Sequence, residues 1–126
     1  MKIRNWLFLT IIATFFASVA NADCTPPGAA PTEFPDGSKA SQDEMLAAKK
    51  QVDTYVSNAR DYVSCIDSNE ATALKEIHAN DKMSKDDKDS RIKALEEKRK
   101  ARNKVVEQMH TTAKAFNAEI EKYNQR

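Results

Sequence analysis

The chain has 126 residues, with 20 Lys and Arg against 19 Asp and Glu, and a formal net charge of +1. That near balance is not the electrostatic footprint of a general nucleic-acid binder, and the length accommodates one small domain. Glycine occurs only at Gly28 and Gly37, so no Gly-rich phosphate loop can be placed.

Lys2 and Arg4 open the chain, and Trp6 to Val19 is a mostly apolar run broken only by Thr10, Thr14 and Ser18. Ala20-Asn21-Ala22 supplies small residues at the positions a signal peptidase inspects. The pattern predicts a secretory signal peptide over residues 1–22, with the mature chain starting at Asp23. A retained anchor is disfavoured, because 14 residues at about 1.5 Å each cover about 21 Å of a hydrocarbon core near 30 Å. Lipid attachment at Cys24 is disfavoured by Asp23, which stands where a small uncharged residue normally precedes the modified cysteine. Loss of residues 1–22 removes two basic residues and no acidic one, leaving 18 against 19 and a net charge of −1. The expected location is periplasmic or secreted, with no membrane span after cleavage. No Asn-X-Ser/Thr sequon occurs, which fits a bacterial envelope protein.

Residues 23–40 carry Pro26, Pro27, Pro31 and Pro35, which keep the segment extended. It is expected to act as a strap. In an oxidising compartment the default for Cys24 and Cys65 is an internal disulfide. The 17 residues from Cys24 to Ala40 reach about 56 Å extended, whereas Cys65 lies about 36 Å along a helix that begins at Ser41, so the bridge is easy to close. An intermolecular bridge is the alternative; a redox pair is weaker, since no Cys-X-X-Cys exists. Phe34 is the best candidate to cover the groove under such a strap. Phe34-Pro35-Asp36-Gly37 reads as a turn, proline fixing its entry and glycine permitting its exit.

Ser41-Gln42-Asp43-Glu44 is a capping box and starts the first predicted helix, over residues 41–79. Its apolar row is Met45, Ala48, Val52, Tyr55, Ala59, Tyr62 and Ile66. Asp67-Ser68-Asn69 is the expected place for a kink or fraying before Ala73, Leu74 and Ile77 resume an apolar face. Ser84-Lys85-Asp86-Asp87 resembles a second capping box, with Asp in place of Glu, and starts a helix over residues 84–124. Its row is Ile92, Leu95, Arg99, Arg102, Val106, Met109, Ala113, Phe116, Ile120 and Tyr123. Alternate spacing of three and four in both rows predicts an all-α fold: an antiparallel, coiled-coil-like helical hairpin over residues 41–126. The short polar turn implies that Met45 meets Ile120, Val52 meets Ala113, Tyr55 meets Met109 and Ile66 faces Arg99. The well-packed half is then the end away from the turn, and residues 76–91, nearly all charged, form the more mobile end. A bare two-helix hairpin is marginal. Val56 and Val63 on one side of the stripe and Val105 on the other widen it enough to suggest a homodimer.

Arg99 and Arg102 stand where apolar residues belong. In the implied pairing they lie near Tyr62, Ile66, Asp67 and Glu70, with buried ion pairs and a cation–π contact to Tyr62 available. A polar layer that fixes register is the main reading, and an anion site inside the bundle the sharper one. The run Lys98, Arg99, Lys100, Arg102 and Lys104 is a possible anion-binding surface for lipid headgroups or lipopolysaccharide phosphates; Glu96, Glu97 and Glu107 stand close enough to neutralise it. His78 and His110 lie too far apart in the hairpin to share a metal. Asp81, Asp86, Asp87 and Asp89 lack the glycine and the position-twelve glutamate of a calcium loop. No catalytic constellation or metal-ligand spacing is found, and no cofactor is called for.

The pattern Cys24, Pro26-Pro27, Pro35-Asp36-Gly37, Ala40-Ser41, Glu44-Met45, Ala48, Val52, Tyr55, Tyr62 and Cys65 resembles a group of small exported proteobacterial helical proteins without an assigned activity. The resemblance spans Cys24 to Cys65 and implies export, but it brings no functional residues. The expected function is non-enzymatic, through contact with an unknown protein partner or envelope component and without nucleic acid. A chaperone-like or anionic-envelope binder using the basic surface of the second helix is the alternative.

Overall fold

The computed structural model describes residues 23–126, so the signal-peptide expectation for residues 1–22 lies outside it. Two helices pack against each other, α1 (Gln42–Ala79) and α2 (Lys85–Asn124), and no strand occurs among the described residues. No helix among them is long and apolar enough to cross a membrane.

The helix starts follow from their caps. At α1 the Glu44 N–H donates to Ser41 Oγ, 3.2 Å, while Ser41 N–H donates to Glu44 Oε2, 2.7 Å, which completes the capping box. The Ser41 N–H and then the Ser41 hydroxyl, which also donates to Glu44 Oε2 at 2.9 Å, hold the Glu44 carboxyl below its usual range. At α2 Asp87 N–H donates to Ser84 Oγ, 3.1 Å, but the Asp87 carboxylate accepts from the Ser84 hydroxyl at 2.7 Å. The aspartate is one methylene shorter than glutamate and binds the hydroxyl, so only the side-chain half of the box forms here. Residues 80–84 make the turn, where Asn80 Oδ1 accepts from Lys82 N–H, 3.1 Å.

Apolar spacing sets the seam. Met45, Ala48, Val52, Tyr55, Ala59 and Ile66 of α1 are buried, as are Leu95 and Phe116 of α2. The main cluster lies at the end away from the turn, where Ala40, Met45, Ala48, Val52 and Phe116 pack with Phe34, Val56, Ile120 and Tyr123. One expectation is corrected. Helix α1 passes through Asp67-Ser68-Asn69 unbroken. The seam absorbs the polar triplet by taking two steps of four in succession, from Tyr62 to Ile66 to Glu70, and continues through Ala73 to Ile77. Such a stutter shifts the buried row around the helix without bending it. At the turn end, Ile77 is only 2% exposed.

Candidate functional site

The strap lies in one of the two grooves flanking the seam. Its first anchor is the Cys24–Cys65 disulfide, with Cα atoms 5.7 Å apart, and Asn69 Nδ2 donates to Cys24 Sγ at 3.3 Å. Farther along, the Thr112 hydroxyl donates to the Pro31 carbonyl at 3.4 Å, and the Phe34 and Phe116 rings meet at 5.4 Å between centroids. Phe34 therefore covers the groove as its position suggested. The last anchor is the Gly37 N–H, which donates to Glu119 Oε2 at 2.9 Å.

Cys65 on α1 and Thr112 and Glu119 on α2 each sit beside the seam on the same flank, the latter two one heptad apart. A seven-residue spacing keeps them on one face, which is why a single extended segment can reach both. The sequence offered this signal, a hydroxyl and a carboxylate seven apart beside an apolar row, but it is weak among so many polar residues. A cation–π contact occurs between Arg126 and the Tyr123 ring, 3.9 Å from the centroid. Arg126 also donates to the Ala40 carbonyl, 2.6 Å, tying the chain's end to the entry of α1. The contact expected between the seam arginines and Tyr62 is thus replaced by one at the opposite end of the hairpin.

Turn chemistry at the strap's end differs from its sequence reading. Lys39 and Ala40 N–H groups donate to the Asp36 carbonyl, while Ser38 donates through both its N–H and its hydroxyl to Asp36 Oδ1. The Ser38 hydroxyl and then its N–H hold the Asp36 carboxyl below its ordinary value. The glycine with positive φ is Gly28, at 84°. Gly37 is required for another reason: a Cβ there would lie 1.9 Å from the Glu119 carbonyl oxygen.

The basic run divides into paired and unpaired residues. Arg99 Nε donates to Glu70 Oε1 at 3.0 Å, Arg102 grips Asp67 with two bonds of 2.9 Å, and Lys100 pairs with Glu97 at 2.8 Å. Arg91 and Glu76 add a third bridge between the helices at 3.3 Å. The ion pairs of Arg99 and Arg102 join the residues the spacing brought together, but the side chains are 50% and 29% exposed, so the pairs are not buried. Long guanidinium stems carry the charge out of the narrow two-helix seam to water. Lys98 and Lys104 have no ion-pair partner among the described residues.

Grooves flank the strap. One of about 900 Å³ runs along α1 and is lined by Pro27, Pro31, Gln51, Thr54 and Asn58, with Tyr55 at its floor. Another, about 460 Å³, lies over α2 beside Phe34, Lys104, Thr111 and Ala115. A narrower cavity of about 240 Å³ sits at the disulfide between Tyr62, Ile66, Leu95 and Lys98. The Tyr55 hydroxyl is buried with no hydrogen-bond partner, and burial pushes its pKa up. His78 and His110 are both exposed, and no group of His, Cys, Asp or Glu able to hold a metal occurs among the described residues. No protein-family model matches the chain, and comparison with curated proteins and with solved structures finds no match.

Proposed function

We propose that the protein is exported and non-enzymatic, a disulfide-clasped helical hairpin of the periplasm or extracellular space that works by contact with a protein or envelope partner. One observation supports this reading most: the strap and seam consume most of the large apolar side chains, leaving two long charged faces and shallow, open grooves. The Cys24–Cys65 bridge supports an oxidising location, where such a bond persists.

The rival reading, attachment to anionic envelope material through Lys98, Arg99, Lys100, Arg102 and Lys104, is weakened by their geometry. Three of the five already face a carboxylate. The separating experiment is binding of the oxidised protein to vesicles of anionic phospholipid, or to lipopolysaccharide, at low and high salt. The contact reading predicts no appreciable binding at either salt. Binding that falls steeply as salt rises would favour the rival. Crosslinking in intact cells from exposed positions on each helix would then yield a defined protein adduct; adducts only with lipid or lipopolysaccharide would contradict the contact reading.

A further inference from the structure

The strap occupies one flank of the seam only. On the other, heptad spacing places Val56 and Val63 of α1 and Asn103, His110 and Asn117 of α2. Between them the seam residues Val106, Ala113 and Ile120 are only partly buried, although their partners on α1 are buried. Leu46, the large hydrophobic that stands out in solvent at 55% exposure, lies at the edge of this same flank. In a chain with 31% charged residues, the flank positions from Lys49 to Val63 and from Asn103 to Asn117 carry one fixed charge, Lys49, which pairs with Asp53 on the rim. Val105, by contrast, sits one heptad before Thr112, on the strap's side, so it does not belong to this face.

We infer that this open flank is the self-association surface of the protein, and that two copies pair there to form an antiparallel four-helix bundle. A two-fold axis parallel to the helices sets α1 of each copy beside α2 of the other, running in opposite directions and at the same level. Val56 then meets His110, Val63 meets Asn103, and the rim charge of Arg60 meets that of Glu107. The two valines face neutral groups and Arg60 meets an opposite charge, so self-pairing brings no like charges together at these positions. A strip about 25 Å long and about 20 Å wide buries roughly 1,000 Å² in total, just below the standard range for stable complexes. The dimer is accordingly weak and concentration-dependent. It pairs the chain with itself whatever the outer charged faces touch.

Sedimentation equilibrium of the oxidised, exported protein provides the test. The expected result is a monomer–dimer equilibrium with a dissociation constant of tens to hundreds of micromolar. His110→Glu and Leu46→Glu, both at exposed positions, should each weaken it at least tenfold with the helical circular dichroism unchanged. Lys50→Glu, on the strap side of α1, should leave it unaltered. Arg60→Glu should weaken the dimer, and Glu107→Arg added to it should restore the affinity. A monomer up to several hundred micromolar overturns the inference. So does a dimer that tolerates His110→Glu and Leu46→Glu, that responds equally to Lys50→Glu, or that the charge swap fails to rescue.

Discussion

Gly37 and Glu119, 82 positions apart in sequence, meet twice: the Gly37 N–H donates to the Glu119 carboxylate, and a side chain at Gly37 would strike the Glu119 backbone carbonyl. The atom in the way belongs to helical backbone, which cannot swing aside as a side chain can. Gly37→Ala should therefore push the strap off α2 and cost about 1–3 kcal/mol, as overpacking does. Gly28→Ala meets nothing within 4 Å, so its cost is confined to about 1–2 kcal/mol of left-handed strain. Urea unfolding of both variants, with amide exchange of residues 34–40, separates the two. Exchange near Gly37 should rise in the first variant more than in the second.

The same carboxylate sets a pH dependence. The hydrogen bond from Lys122 and then that from Gly37 hold the Glu119 carboxyl below its ordinary value, and Asp36 and Glu44 are lowered as well. A depressed folded pKa means that the unfolded chain binds protons more readily. The contribution is therefore fully present above the unfolded carboxyl range near pH 4 and is lost as pH falls through the depressed values. Thermal unfolding from pH 7 down to pH 2 should show falling stability below about pH 4.5. Glu119→Gln should make that fall shallower.

Tyr55 predicts a substitution that improves the protein. Its ring is buried in the seam, 4% exposed, while its hydroxyl lacks a partner. An unsatisfied buried polar group costs about 1–3 kcal/mol, so Tyr55→Phe should raise stability by about 1 kcal/mol or more. Chemical denaturation of the oxidised protein checks it. A loss of stability would show that the hydroxyl is bonded after all.

The clasp itself is tested by removing it. Closing a loop with a sequence separation of 41 stabilises a fold by up to about 4 kcal/mol through loop-closure entropy. Cys24→Ser with Cys65→Ser should lower stability by up to that amount and open residues 24–30 to protease. The segment around Phe34 should be less affected, because Phe116, Thr112 and Glu119 hold it independently. Uniform cleavage along residues 24–40 would contradict this division.

The hairpin was legible because its information is periodic: rows at three-four spacing, a capping box at Ser41 and a polar turn leave few alternatives. The strap was legible from four prolines and two cysteines. What escaped depends on where side chains end, not on which face they start from. Arg99 and Arg102 were placed opposite Glu70 and Asp67 by spacing, but only the folded chain shows the pairs reaching water. The stutter at Ile66 and Glu70 was hidden because the buried step falls on a charged residue. Gly37 was read for its backbone freedom, while its real constraint is the closeness of α2, which no local pattern records.

The most direct test of the clasped hairpin is nuclear Overhauser spectroscopy of the oxidised protein at low concentration. Ring protons of Phe34 should show cross-peaks to those of Phe116, and Met45 to Ile120, alongside unbroken helical connectivities through Asp67-Ser68-Asn69. Helical connectivities without any cross-peak between the two helices, or Phe34 lacking contact with Phe116, would contradict the fold on which the contact surface rests.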